Sequence, residues 1–505
     1  MHPLKFGFTA QDAWLGLPLV LLALGVLLVL GLQVFSAGGA GRKKAAGWIT
    51  ILILSLAFVL TALRTGALYG LNDLYPERAG FTVSLFNKAY FLDTPQLLGH
   101  LVVLGAALFT AFLSLPFLKS GEDGGREGEY FALLLLMPLG GMLMVSGADL
   151  MVCFLGLEIL SLSLYVLTAF RSRRPESVEA GIKYFMLGAF AAAFFVFGLA
   201  LLYAGNGSIQ VPAFRTQWFV PPEIQGIARL GGAMIFAALL FKASLFPFQM
   251  WTPDVYQGAP TPVTALMSTG TKAAAFVLMV SVAGLVPKEV RYAVPALAVL
   301  TMAAGNFGAI RQTDIKRLLA YSGIAHAGYI LVGVNSVMAG TSWPDSQLGV
   351  RAVYIYLIVY ALSNLGALGV VAWLERGEEK AVTLEGLKGL AARHPAAAAL
   401  MALFLLSLGG IPPTAGFLGK LLVFSEAFRQ HFYLLAALGL LLSAVSLYYY
   451  LKVVVYMYMR PAEAEEPFAP RPGLMALPIG ASAAGVLLFG CVPSLLINFL
   501  LYVNL

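Results

Sequence analysis

An all-α membrane protein of about fourteen transmembrane helices is the fold class that the sequence predicts, and three observations predict it. Of 505 residues, 60% are hydrophobic and 11% charged, against about 25% charged in an ordinary soluble domain. A soluble chain cannot hide that much apolar surface, because its surface grows nearly as fast as its volume. The apolar residues also arrive in long blocks split by short charged or Pro/Gly-rich loops. About 20 apolar residues in helix cross a hydrocarbon core of about 30 Å, and a helix satisfies its own backbone hydrogen bonds in lipid.

The expected cores are 13–35, 46–69, 95–118, 130–147, 150–170, 179–204, 227–256, 260–285, 291–310, 315–337, 351–374, 395–428, 432–458 and 474–500. The first is too long for the apolar region of a signal peptide, about 7–15 residues, and little positive charge precedes it, so a retained helix is expected. Tyr75 to Tyr90 is no span; its alternation around Val83 and Ser84 predicts a short outside hairpin. Proline inside a helix removes a hydrogen bond and clashes with the preceding turn. Pro247 and Pro253 are therefore expected to break the seventh span, and Pro412 and Pro413 the twelfth. Trp48, Trp251, Trp343 and Trp373 lie near span ends, where an aromatic belt is expected.

Loop charge tests this count. With an outside N-terminus, alternate loops hold Arg42, Lys43, Lys44, Lys119, Arg126, Arg171, Arg173, Arg174, Arg311, Lys316, Arg317, Arg376, Lys380, Lys388, Arg393, Arg460 and Arg471, against about 8 basic residues opposite. The bias follows the positive-inside rule and places both termini outside. Net charge +7 thus reflects topology; with no basic cluster interleaved with aromatics, nucleic-acid binding is not expected. Cys153 and Cys491 are isolated, and the five histidines are scattered, so no disulfide framework, zinc site or iron–sulfur site is expected. The chain lacks a phosphate loop, a dinucleotide fingerprint and a nucleophile elbow. Glycines such as Gly140-Gly141 and Gly231-Gly232 lie in apolar spans and read as close helix contacts.

Charges inside spans carry the remaining information, since each costs at least about 2.5–3.5 kcal/mol to insert. Glu158 lies in the fifth span, Lys242 just before the break in the seventh, Lys272 inside the eighth and Lys420 beside the break in the twelfth. Lys183 and Lys452 lie nearer span ends, from which a lysine can snorkel to the interface. Unpaired backbone at a mid-membrane break is tolerated only in protein or beside water, and paired breaks mark the site in inverted-repeat transporters. The breaks fall five helices apart, which predicts two inverted five-helix repeats over helices 4–8 and 9–13. The expected organisation is an N-terminal three-helix segment 1–120, repeats at 129–286 and 290–460, and a last helix in 473–505.

Four stretches carry a resemblance. The run FKASLFPFQMWTPDVYQGAPTPVTA from Phe241 resembles the central motif of subunit N of bacterial NADH–quinone oxidoreductase, respiratory complex I, within the antiporter-like subunits. FLGLEILSLSLYVL around Glu158, GNFGAIRQTDIKRLLAYSGIAHAGYILVG from Gly305 and SLGGIPPTAGFLGKLLVF around Lys420 agree. The likeness spans about helices 4 to 13. Thr252-Pro253-Asp254-Val255 stands where the cation-antiporter, L and M subunits usually read LPDA, which favours subunit N. Gln249 departs from a histidine common in the family, so no essential proton carrier is expected there.

The resemblance implies a proton-translocating subunit of an enzyme complex. Glu158 and Lys242 match the paired glutamate and lysine of the family's channel, Lys272 the central lysine, and Lys420 the lysine of the second broken helix. Lys183 also matches a family lysine, and His326 falls among polar residues that join the axis. NADH, flavin, iron–sulfur clusters and quinone are implied in partner subunits, none in this chain. Further antiporter-like subunits are implied as neighbours, in a bacterial inner membrane with both termini periplasmic. Low-dielectric surroundings ease proton loss from an ammonium group and a nearby carboxylate opposes it, so Glu158 is expected to face Lys242 and switch it. Moving one charge against 200 mV needs about 4.6 kcal/mol. The alternatives are a subunit of a multisubunit Na⁺/H⁺ antiporter, or the same subunit in a ferredoxin-linked photosynthetic complex.

Overall fold

The computed structural model describes residues 10–35, 40–74, 83–86, 89–118, 126–214, 225–340, 343–375, 382–461 and 473–502. Among them, thirteen helices are long and apolar enough to cross a membrane. The twelfth expected span, 395–428, is two helices of 15 residues each.

The first three spans are α1 (Ala10–Phe35), α2 (Ala40–Leu74) and α3 (Thr94–Phe117). Between the last two, β1 (Val83–Leu85) and β2 (Tyr90–Leu92) form the expected hairpin, antiparallel, with Leu85 opposite Tyr90. The Asp12 carboxylate accepts from Phe86 N at 3.0 Å and ties the hairpin to the start of α1. Sequence reasoning passed over Arg64, a buried charge within α2. Its guanidinium donates to the carbonyls of Leu15 (3.0 Å) and Trp14. Pro18, four residues after Trp14, has no N–H to offer that carbonyl, so the arginine fills a vacancy left by a proline.

Next come α4 (Glu127–Ser146), α5 (Leu150–Thr168), α6 (Pro175–Asn206) and α7 (Gln225–Lys242). Asp149 caps α5 by accepting from Val152 N at 2.9 Å. The helices pair through glycines at backbone distance. A Cβ on Gly156 would stand 2.3 Å from Met144 N, and one on Gly231 2.6 Å from Gly198 O.

The seventh span breaks after Lys242, and α8 (Trp251–Gly258) resumes it. Pro247 lies in the break, as expected. Pro253 does not break anything: it is the third residue of α8, in the first turn, where a missing N–H costs no helical bond. The eighth span is α9 (Thr261–Leu266) and α10 (Lys272–Ser281), joined by a π turn at Met267–Thr271. Such turns concentrate at functional sites.

The second half contains α11 (Lys288–Arg291), α12 (Val294–Ile310), α13 (Ile315–Ala339), α14 (Trp343–Leu374), α15 (Leu390–Arg393), α16 (Pro395–Gly409), α17 (Ala415–Arg429) and α18 (Tyr433–Met459). Pro412 and Pro413 sit in the break between α16 and α17. The final expected span is divided into α19 (Ala476–Cys491) and α20 (Pro493–Tyr502), because Pro493 cannot continue the hydrogen-bond ladder.

Burial shows which helices hold the centre. The spans of α9–α10, α13 and α14 are 94%, 94% and 89% buried, against 33% for α6, α18 and α19. Isolated bridges join Tyr90 to Gly147 and Asp149 to Gln210, so the hairpin shares one end of the bundle with the α4–α5 and α6–α7 connections. At the other end Lys316, at the start of α13, lies within electrostatic range of Arg171 and Arg174, so the connection 169–174 and the start of α13 share that end. Lys119, Arg376, Lys380 and Arg471 lie outside the described residues. Two of the expected belt tryptophans are corrected: Trp251 and Trp373 are buried within the protein, because both point into helix contacts.

Gly156→Val is expected to force α4 and α5 apart, since overpacking a close contact costs about 1–3 kcal/mol or more. The amount of chain recovered in detergent-solubilised complex should fall steeply. Wild-type recovery would show that the contact can relax.

Candidate functional site

Glu158, Ser161 and Tyr165 stand at i, i+3 and i+7 on α5 and so share one face. Lys242, the last residue of α7, reaches that face. Its Nζ donates to Ser161 Oγ at 2.7 Å and to the Tyr184 hydroxyl at 3.2 Å, and lies 5.8 and 5.3 Å from the ring centres of Tyr165 and Tyr184. The lysine is 3% exposed. A small cavity beside it is lined by Ser161, Tyr165, Gly188, Phe241 and Lys242. Glu158 makes no direct ion pair with Lys242; the two interact through space. Glu158 Oε1 is buried without a hydrogen-bond partner. Lys242 Nζ is held by Ser161 and Tyr184, while Glu158 was expected to face it.

Tyr184 stacks on Trp251 at 4.6 Å, and Trp251 meets Tyr256 edge-on at 6.1 Å. Trp251 Nε1 donates to the Phe241 carbonyl at 3.3 Å, so the second half of the broken helix is pinned to the first. Around this break Gln249 Oε1 and Thr252 Oγ1 are buried without partners, and Ser244 and Tyr256 have only each other within reach of their hydroxyls. Native proteins pair such atoms or hydrate them, so the break is a polar pocket inside an apolar bundle.

Lys272 follows the π turn and is 1% exposed. Its Nζ donates to the Gly323 carbonyl at 2.5 Å and lies 5.9 Å from the rings of both Tyr256 and Tyr360. Gly323 leaves the room: a Cβ there would stand 2.9 Å from Lys272 Nζ and 3.1 Å from Tyr360 OH. One turn on, His326 holds Tyr356 OH at Nδ1 (2.8 Å) and Tyr450 OH at Nε2 (3.2 Å). Tyr450 also bonds Ser322. One imidazole nitrogen donates and the other accepts, so the ring bridges two hydroxyls.

Lys420, 5% exposed, turns back from α17 to the last carbonyl of α16. Its Nζ donates to Gly409 O at 2.7 Å and lies 5.1 Å from the Tyr329 ring. Gly410 permits this turn: its φ is +83°, and a Cβ would press Lys420 Cδ at 2.8 Å. Both Lys272 and Lys420 lie within electrostatic range of His326. Lys242, Lys272, His326 and Lys420 are thus brought to one buried, tyrosine-lined axis.

Lys183 is placed elsewhere. It is 41% exposed and pairs with Glu179 at 2.7 Å and Asp254 at 2.9 Å. Arg317 donates to the same Asp254 at 2.7 Å, so these residues clamp α8 between α6 and α13. Sequence reasoning missed Ser161, Tyr184, Tyr256, Gly323, Tyr356, Tyr360 and Tyr450. Only Ser161 was signalled, by its three-residue spacing from Glu158.

The family described as NADH:quinone oxidoreductase/Mrp antiporter, TM, matches residues 147–446. An NADH-quinone oxidoreductase subunit N from Trichlorobacter lovleyi is 40% identical over 435 residues, covering 83% of this chain and 85% of that one. A chain of respiratory complex I from Thermus thermophilus superposes with a TM-score of 0.78 at 34% identity, over 95% of this chain and 98% of that one. A chain of the Mrp complex from Dietzia gives the same TM-score at 20% identity, over 98% and 97%, and shares the fold alone. With the four sequence stretches and the buried lysine axis, these relations place the chain in the NADH-quinone oxidoreductase subunit N family.

Proposed function

We propose that this chain carries protons across the membrane for an NADH–quinone oxidoreductase, through Lys242, Lys272, His326 and Lys420, with Glu158 setting the charge on Lys242. One observation carries the reading: Lys272 and Lys420 are buried ammonium sites held by carbonyls and aromatic faces, with His326 between them. A lysine clamped by a carboxylate is a fixed charge. One held only by a carbonyl can give up its proton and leave no buried anion behind.

The steps follow from the contacts. Glu158 attracts the Lys242 ammonium, and its withdrawal releases a proton toward the Ser244–Tyr256 pocket and Lys272. His326 then exchanges protons with Tyr356 and Tyr450, and Lys420 receives the charge at the second break. Lys183 anchors α8 through Asp254 and positions the break. The two halves of the relay correspond to the two five-helix repeats, 129–286 and 290–460.

Redox chemistry belongs to partner subunits holding NADH, flavin, iron–sulfur clusters and quinone. The apolar outer surface, including Leu27, Val34, Phe190 and Leu441, suits lipid and neighbouring membrane subunits. The basic end carrying Arg171 and Lys316 faces the cytoplasm of a bacterial inner membrane, and both termini face the periplasm.

Lys420→Ala in the assembled complex is expected to lower proton pumping into proteoliposomes while leaving assembly largely intact. Lys420→Arg should fail as well, because a guanidinium keeps its proton. Full pumping by the arginine variant would reduce Lys420 to a fixed charge.

Gly323→Ala should act on Lys272 without touching it. The added methyl displaces the flexible end of the lysine from its carbonyl, removing a charge-assisted bond of about 1.5–3 kcal/mol. Pumping per quinone reduced should drop at normal assembly. An unchanged ratio would rule out Gly323 as the cradle of Lys272.

A further inference from the structure

A second polar line approaches Lys272 from the basic end of the bundle. Glu375, one residue past α14, is buried between Lys316 and Thr261. Its Oε1 accepts from Thr261 Oγ1 at 2.5 Å and lies 3.9 Å from Lys316 Nζ. Lys316 in turn donates to the Ala259 carbonyl at 2.6 Å, at the junction of α8 and α9. The charged groups around this lysine are Glu375, Asp314, Arg171 and Arg174.

From this point two helices present polar groups to each other. On the α9–α10 side stand Thr261, Ser268 and Lys272; on α14 stand Glu375, Asn364 and Tyr360. Thr261 meets Glu375. Asn364 Nδ2 donates to Ser268 Oγ at 2.6 Å. Lys272 Nζ faces the Tyr360 ring at 5.9 Å. The interval of 11 residues from Glu375 to Asn364 keeps that set on one face; across the π turn, the contacts themselves turn Thr261, Ser268 and Lys272 toward it. Eleven residues span about 16 Å, enough to reach from the end of the bundle to its middle.

Each member of the α14 set carries an unused atom. Glu375 Oε2, Asn364 Oδ1 and Tyr360 OH are buried without hydrogen-bond partners. A seam built only for packing would leave none of these unpaired, since buried polar groups are otherwise satisfied. Three in sequence along one face provide successive stations for water.

We infer that Glu375 is the proton entrance of this chain, feeding Lys272 along the seam between α9–α10 and α14. The carboxylate takes a proton from a hydronium ion at the basic end: one hydronium O–H bond breaks, leaving water, and a carboxyl O–H bond forms. That bond then breaks toward water held by Asn364 and Ser268, and the proton binds the free amine of Lys272. No electron moves, and the carboxylate is regenerated. Lys316 positions Glu375, with its Nζ 3.9 Å from Oε1. The inference rests on Lys272 being a proton carrier, and the experiment tests the two separately.

The assembled complex would be reconstituted in proteoliposomes, with pumping read per quinone reduced for Lys272→Ala, Glu375→Gln, Glu375→Ala and Asn364→Leu. Glu375→Gln keeps the contact with Thr261 but cannot ionise, and should lose pumping as far as Lys272→Ala does. Formate should restore Glu375→Ala, because a small carboxylate replaces a proton carrier but not a structural strut. Asn364→Leu should show the same loss, and decides the matter if the Glu375 variants fail to assemble. A loss in Lys272→Ala with wild-type pumping in Glu375→Gln or Asn364→Leu overturns the entrance and spares the relay. Intact pumping in Lys272→Ala overturns both. Loss in Glu375→Ala without formate rescue marks a structural residue and overturns the entrance.

Discussion

An ammonium or guanidinium group inside an apolar bundle must find oxygen atoms, and a regular helix has few to spare. The chain meets this constraint by interrupting helices where charges are buried. Lys420 takes the carbonyl of Gly409, released where α16 stops. Lys316 takes Ala259 between α8 and α9, and Arg64 takes the carbonyls beside Pro18. Arg291 collects those of Ala283, Gly284 and Val286 at the end of the eighth span. Breaks in helices and buried basic residues are two sides of one arrangement: each would be costly without the other.

Two axis lysines depart from this: Lys272 shares the Gly323 carbonyl inside the unbroken α13, and Lys242 separates the ends of the axis. It sits at a break but turns to hydroxyls, Ser161 and Tyr184. It alone among the three axis lysines has a carboxylate, Glu158, within electrostatic range. Hydroxyls accept and donate, so this end of the axis can be rewired by rotating an O–H bond. The carbonyls that hold Lys272 and Lys420 only accept, so a lysine that loses its proton there keeps a neutral amine bond in place of a stronger charge-assisted one. Tyrosines line the whole path, and their rings offer a negative face to a cation where oxygen is lacking.

The exposed ion pairs belong to another role. Lys183, Glu179, Asp254 and Arg317 join three helices near the basic end, where water screens them and each pair contributes little stability. Their effect is geometric: they fix α8 so that Trp251 lies against Tyr184. Close glycine contacts do the same work in the apolar layer, where Gly140 with Gly156 and Gly198 with Gly231 bring backbones together.

The sequence by itself determined an all-helical bundle of about fourteen spans, of which thirteen are single helices long and apolar enough to cross a membrane among the described residues, the breaks at Pro247 and at Pro412-Pro413, and the lysines worth examining. Long apolar blocks and prolines are local signals, and a buried charge stands out in any apolar run. It did not determine that Pro253 opens a helix, that Pro493 divides the last span, or that Trp251 is a packing residue, because proline position within a turn and side-chain direction depend on the neighbours. Only the tertiary structure decided that Ser161 and Tyr184 hold Lys242, that Gly323 cradles Lys272, and that Lys183 lies off the axis. Those facts depend on how each helix is rotated about its own axis against the others. That rotation is set by packing over the whole bundle, and no stretch of a single helix records it.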